Sequence, residues 1–401
     1  MAGPLAGIKV VELGFWVAGP SAAAILADWG AEVIKIEPPN GDPFRGLFAS
    51  VFGSPIPINP PFEQDNRGKR SIALDLSKEE GRGIARRLVS GADVFLTNVR
   101  PHALKAAGLT YEELSALNPQ LIYCHITGYG AGHDEEERAA YDIGAFWSRG
   151  AVGAMLAPPG NPPPQQRGGM GDHMAGQSAA GAIAAALFHR QRTGQGQKVE
   201  VSLVRVGAYM MSWDITLALR LGVPVIPYDR HHHINPLINC YQAKDGRWFW
   251  LLHLQADRHW PNVCRAIGRP DLLEDPRFAD IEKRRDNAPE LVAELDKEFA
   301  KKTLQEWAEI FQREDVWWAP VNTVDDLLKD PVVEKAGILV DVPAGDGTSF
   351  KLVAAPATFH ATPAAPKGPP PELGQHTEEI LLELGYDWDA IVALKERGVI
   401  P

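Results

Sequence analysis

The stretch "IKVVELGFWVAGPSAAAILADWGAEVIKIE", residues 8–37, decides the architecture. "IKVVELG" is a short β-branched run, "GPSAAAILADWG" is Ala-rich with a proline near its start and a glycine at its end, and "AEVIKIE" is a second apolar run. Strand, helix and strand in that order make a βαβ unit. The alternation continues outward through strand-like "SIALDL", helical "SKEEGRGIARRLVSG", strand-like "DVFLTNV", helical "YEELSALNP" and strand-like "LIYCHITGYG". It ends in a long Ala/Gly helix, "MAGQSAAGAIAAALFHRQRTG", and a strand, "QKVEVSLV". Such alternation predicts an α/β fold, a Rossmann-like doubly wound parallel sheet with helices on both faces, over residues 1–224.

The pattern changes after "LRLGVPVIPYDRHHHINPLI". A strand pair, "NCYQAKDGRWFWLLHL", turned at Asp245-Gly246, leads into short charged helices, which predicts a smaller α+β domain at 225–330. The tail, 331–401, returns to strand-like "FKLVAAPATFH", a Pro-rich stretch and the helix "HTEEILLELG". No internal repeat is visible.

A chain of 401 residues exceeds what one core holds, which fits two domains. A formal charge of -11 speaks against nucleic acid or an anionic membrane as partner, since a phosphate polymer would be repelled. Three scattered cysteines make neither a disulfide framework nor a zinc spacing, and no metal is expected. Without a basic-then-apolar leader or an apolar run near ~18 residues, the chain reads as cytoplasmic.

A βαβ unit ending in Glu37 invites a nicotinamide or flavin reading. However, the loop after the first strand is "GFWVAGP", with Gly14 and Gly19 five apart, so the G-x-G-x-x-G turn is absent. Glu37 reads instead as a strand-end residue paired to a neighbour. Arg67, Lys69 and Arg70 in "DNRGKRSIALDL" and Arg100 in "LTNVRP" stand beside predicted strands, where an open sheet lines its ligand crevice. They read either as solvated turns or as partners of an anionic ligand with several phosphates. His231, His232 and His233 have no carboxylate or cysteine at ligand spacing and read as linker surface. "HDEEERAA", 133–140, reads as a solvated loop.

"GGMGDHMAG", 168–176, sets one carboxylate, Asp172, among four glycines at the start of the long helix. There its charged form would be favoured by free backbone N–H groups and the positive end of the helix. An N-cap role is the structural alternative. It leaves Gly168, Gly169 and Gly171 unexplained, whereas glycines allow close approach and supply donors to a developing oxyanion, with Gly171 the candidate beside Asp172. A lone carboxylate so placed suits covalent attack on an activated carbonyl.

Taken in order, "LAGIKVVELGFWVAGPSAAAILADWGAEVIKIE", "NRGKRSIALDL", "TNVRP", "NPQLIYCHITGYG", "GDHMAG", "RTGQGQKVEVSL", "APVNTVDDLLKDP" and "LGQHTEEILLELGY" resemble the class III CoA-transferases over nearly the whole chain. The resemblance implies a large Rossmann-like domain built from both chain ends, 1–224 and 331–401, with 225–330 inserted, and a homodimer of interlocked rings. It implies that Asp172 is the nucleophile, that coenzyme A is a co-substrate, and that the partners are an acyl-CoA and a carboxylic acid. It places CoA contacts at Val17, Ala18, Leu74, Asn98 and Arg100, and a tyrosine near the reacting carboxylates at Tyr141. Arg70 is a phosphate partner on the basic-cluster argument.

Three departures matter. The family's racemases have His where this chain has Tyr141, which disfavours an acyl-CoA isomerase or racemase. The basic residue after the strand-two Glu is Pro38 here, which weakens one adenosine-phosphate contact. In place of the glycine-run loop of oxalate-specific members stands "DRHHHINPLIN". Trp16, Phe15, Trp147 and Phe146 would suit a bulky apolar acyl group if they face the site. A non-catalytic CoA or nucleotide binder is the reading from another class.

Overall fold

The structure is a computed structural model that describes residues 3–53 and 58–401. The chain divides into two units, one of Met1–Ala154, Pro164–Val225 and Glu334–Pro401, the other of Met155–Pro163 and Ile226–Val333.

In the first unit the alternation becomes six strands: β1 (Lys9–Leu13), β2 (Glu32–Glu37), β3 (Arg70–Ala73), β4 (Val94–Thr97), β5 (Ile122–Thr127) and β6 (Gln197–Ser202). Every pairing is parallel and the order is β3-β2-β1-β4-β5-β6. The order reverses between β1 and β4, so their carboxyl ends open the crevice where such sheets bind ligands.

Because side chains alternate along a strand, each strand feeds two cores. Val10, Val33, Val94, Leu96 and Cys124 pack on one face with α1 (Ala18–Asp28) and α2 (Met170–Thr193). Val11, Leu13, Ile36, Ile72, Phe95 and Tyr123 pack on the other. Alanine, the strongest helix former, fills the contact between α1 and α2. There the backbones come so close that a Cβ on Gly176 would lie 2.1 Å from Ser21 Oγ and 3.0 Å from the Ala22 nitrogen.

The second core is completed from the far end of the chain. Ile380, Leu381, Ile391, Leu394, Val399 and Ile400 are buried in it. The backbones join as well: His376 N donates to Ser71 O at 3.0 Å and Asp75 N to Val399 O at 2.9 Å. The strand read at "FKLVAAPATFH" is Ser349–Val353, and it pairs antiparallel with Leu339–Pro343, which the sequence pattern did not suggest. No helix among the described residues is long and apolar enough to cross a membrane.

One feature of β1 and β2 breaks the apolar rule. Glu12 and Lys35 stand opposite each other in register, and both are fully buried. Lys35 Nζ reaches Glu12 Oε1 at 3.2 Å, Asp42 Oδ2 at 3.0 Å and the Gly14 carbonyl at 2.7 Å. Lys69 Nζ reaches Glu12 Oε2 at 2.8 Å, with Asn66 Oδ1 and the Pro20 carbonyl at 3.0 Å. Two cations thus share Glu12 beneath the loop that follows β1.

The second unit holds a three-stranded antiparallel sheet of Cys240–Gln242, Trp248–Leu251 and Trp318–Pro320. Its first turn is at the predicted Asp245-Gly246, with Gly246 at φ +79. Phe249, Phe299, Trp307 and Phe311 form its aromatic core. The three histidines do not act together: His232 Nδ1 bonds Asp229, and His233 Nδ1 bonds the Asn235 carbonyl.

Candidate active site

At the β1–β4 switch point lies a cavity of about 360 Å³, whose walls include Trp16, Ala18, Asn98, Arg100, Tyr141 and Asp172. These come from the loops after β1 and β4, from the segment before Ile143–Arg149 and from the first turn of α2. The topology therefore brings together residues more than 150 positions apart in the chain.

The helix begins at Met170, with Gly169 as its N-cap in the left-handed region at φ +72 and no side-chain cap. Asp172 is thus the third residue of the helix, not its cap. Among the described residues its carboxylate accepts no hydrogen bond, and it lines the cavity. Burial, with the Asp142 and Asp65 carboxylates adding to it and His173 opposing, pushes its pKa up to about 7 from the ordinary 3.8. The sequence had implied that the helix terminus would favour the charged form; burial and a neighbouring carboxylate outweigh it.

Asp142 is the residue that sequence reasoning missed. Nearly fully buried, it accepts hydrogen bonds from Gln166 Nε2 and, at 3.1 Å, from Gly171 N. The Gly171 N–H is therefore engaged here and does not stand free as an oxyanion donor. The glycine is required for another reason: a Cβ there would lie 2.5 Å from Phe146 Cγ. His173, next in the helix, bonds Asp65 Oδ1 through Nε2 at 3.0 Å. Burial lowers its pKa, but Asp65, together with Asp172 and the Gly169 backbone, holds it above the usual value.

The loop after β1 is pinned from several sides. Asn98 accepts from Phe15 N at 2.9 Å and donates to Phe15 O at 2.8 Å, so its amide serves as a clamp. A Cβ on Gly19 would lie 3.2 Å from Asn98 Oδ1, which accounts for the glycine without any phosphate. Trp16 N donates to Asp42 Oδ1 at 3.2 Å. Trp16 itself has φ +63, a left-handed conformation that costs a non-glycine residue about 1–2 kcal/mol. Its ring meets Tyr141 edge-on at 5.9 Å.

Not every predicted contact gathers here. Arg70 does not line the cavity: its guanidinium holds Glu32, Glu379 and Glu383 at 2.8–2.9 Å. Arg67 is buried against Asp28, and Lys69 against Glu12. This basic run is internal pairing, because partners far off in sequence neutralise it. Leu74 is core, its N–H donating to the Glu37 carbonyl. Val17 is the N-cap residue of α1. Arg100 is exposed, lines the cavity and, among the described residues, makes no ion pair. Phe146 and Trp147 are core, so Trp16 alone of the four candidate aromatics walls the cavity. Glu37 is paired as read, with Arg45 Nε and Nη2 both at 2.8 Å. His125, also in the wall, bonds the Val99 carbonyl at 2.8 Å, and burial lowers its pKa.

The family model for CoA-transferase family III matches residues 5–377. The chain is 35% identical over 398 residues to an (R)-2-hydroxy-4-methylpentanoate CoA-transferase of Clostridioides difficile, covering 99% of each chain. It is 34% identical to a cinnamoyl-CoA:phenyllactate CoA-transferase of Clostridium sporogenes, covering 97% of this chain and 95% of that one. Among solved structures it superposes on a CaiB/BaiF family protein from Brucella suis with a TM-score of 0.83 at 31% identity, covering 96% of this chain and all of the other.

Proposed function

The chain belongs to CoA-transferase family III and is an acyl-CoA:carboxylate CoA-transferase; from that premise we propose that CoA passes through a covalent thioester on Asp172. The observation that carries this reading is a carboxylate that has no hydrogen-bond partner among the described residues, in the cavity wall, at the switch point of the sheet. In its ionised form Asp172 attacks the thioester carbonyl, and collapse of the tetrahedral adduct releases the CoA thiolate and leaves a mixed anhydride. The thiolate attacks the aspartyl carbonyl and expels the donor's acid, leaving aspartyl-CoA. The acceptor carboxylate then attacks that thioester; the thiolate released attacks the acyl carbon of the new anhydride and frees Asp172. Arg100 is the cation on this wall suited to a CoA phosphate. Val17 and Ala18 keep their proposed role beside the CoA chain.

The test is intact-mass spectrometry after incubation with an acyl-CoA panel. A CoA-sized adduct that hydroxylamine removes is the expected result, and its absence with every donor while CoA still binds would refute the covalent route.

The chemistry also sets a pH dependence. Attack needs the carboxylate, so the rate of adduct formation should fall about tenfold per unit as pH drops below about 7. Asp142→Asn keeps an acceptor for Gly171 N–H but removes the neighbouring charge, so the midpoint of its profile should move to lower pH. Single-turnover adduct formation between pH 5 and 9 reads both, and coincident profiles would remove Asp142 from the account.

We also propose that a second copy of the chain covers the helices Leu203–Met210 and Ser212–Leu221. Tyr209, Trp213 and Leu219 there are 78–80% exposed, an apolar surface unusual for a monomer. Light scattering should give twice 43.7 kDa; a monomeric mass would overturn it.

A further inference from the structure

We propose that the Trp16 indole is the specificity wall of the site, selecting donors and acceptors whose chain beyond the carbonyl is branched or aromatic and uncharged. The inference rests on the reading of Asp172 as the residue that attacks the thioester.

Three observations support it. First, Trp16 lines the same cavity as Asp172, and its ring meets Tyr141 at 90° and lies 6.1 Å from the Phe44 ring. Second, it is held there at a cost, since only three described non-glycine residues have positive φ and Trp16 is one of them. Its N–H is fixed by Asp42, whose other oxygen takes Lys35 Nζ; Phe44 N also donates to Asp42 at 3.0 Å. The preceding residue is clamped by Asn98. Strain of this kind persists only where the surroundings over-determine it, and it concentrates at functional sites. Third, Ala140 and Leu203 also line the cavity, the Arg138 guanidinium there is engaged by Glu135, and Arg100 is assigned above to a CoA phosphate. An indole and a phenol offer a flat apolar face and no partner for a second carboxylate.

The ring is therefore placed to contact the acyl chain itself, not the CoA. Glycine at position 16 would remove the ring while accepting the same backbone conformation. The experiment compares kcat/KM for 4-methylpentanoyl-CoA, acetyl-CoA and succinyl-CoA with one common acceptor acid, in wild type, Trp16→Gly and Trp16→Phe. Wild type should favour 4-methylpentanoyl-CoA over the other two. In Trp16→Gly the ratio of 4-methylpentanoyl-CoA to acetyl-CoA should fall by about 10–200-fold, the range expected when an apolar contact is lost. Trp16→Phe should lie between.

A ratio that stays constant while all donors lose activity together would overturn the proposal, assigning the ring to the loop or to CoA. So would a wild-type preference for succinyl-CoA. If Trp16→Gly does not fold, Trp16→Phe decides alone: a wild-type ratio in it overturns the proposal. The absence of a hydroxylamine-sensitive adduct in wild type is a separate result. It overturns the reading of Asp172, and the proposal with it.

Discussion

Asp172→Ala is expected to lose CoA transfer by on the order of 10⁴–10⁶-fold, the scale seen when a covalent nucleophile is removed. The surroundings of the residue set that magnitude. Among the described residues the other carboxylate that lines the cavity, Glu136, accepts from Gly132 N at 2.9 Å, and Asp142 is already engaged by Gln166 and Gly171. Removal of the Asp172 carboxylate also removes a half-buried acid from Asp142 and Asp65, so the fold should not suffer. CoA binding, measured by calorimetry, should stay within a few-fold, since the remaining wall is intact. Transfer at more than about one hundredth of the wild-type rate would exclude Asp172 as the nucleophile.

Lys35→Met is expected to destabilise the protein by about 3–5 kcal/mol, the range for removing one partner of a buried ion pair. Burial works against the charge on Lys35, yet Glu12, Asp42 and Glu37 raise its pKa above the usual value. Without the ammonium, Asp42 and Glu12 remain buried and only Lys69, whose pKa burial lowers to about 8, remains to face Glu12. That loss is a large share of a typical ~5–15 kcal/mol. Urea unfolding reads it as a lower midpoint. The double variant Glu12→Gln with Lys35→Met should lose less than the sum of its parts, because the second change removes a stranded charge. Additive losses would show that the two residues do not act as a pair.

The parts legible in sequence were those that local pattern encodes. The β1–α1–β2 alternation, the Asp245-Gly246 turn and the helix after Asp172 each follow from spacing within a few residues. What escaped was set by partners distant in sequence. "NRGKR" shows three cations but not Asp28, Glu12 or Glu383, which neutralise them. "YDIG" shows an acid beside Tyr141, but not that it would receive the Gly171 N–H from 29 positions away. Gly171 was read as a donor to substrate because the pattern cannot show Phe146 lying where its Cβ would be. The resemblance supplied the family and the proposal of Asp172 as nucleophile; the geometry separated Asn98 as a clamp from Arg100 as an exposed cation.

The second core, closed by Ile391, Leu394, Val399 and Ile400 against strands made some 300 residues earlier, bears on the life of the chain on the ribosome. Domains form as units during synthesis. Here Ile72, Ile84 and Phe95 are translated early and are joined by Leu88, Leu104 and Leu114, yet part of the apolar face they share is covered by residues near position 400. A nascent chain must therefore carry that part of the face uncovered through almost all of its elongation. Chaperone demand, and the damage done by premature termination, should both concentrate there.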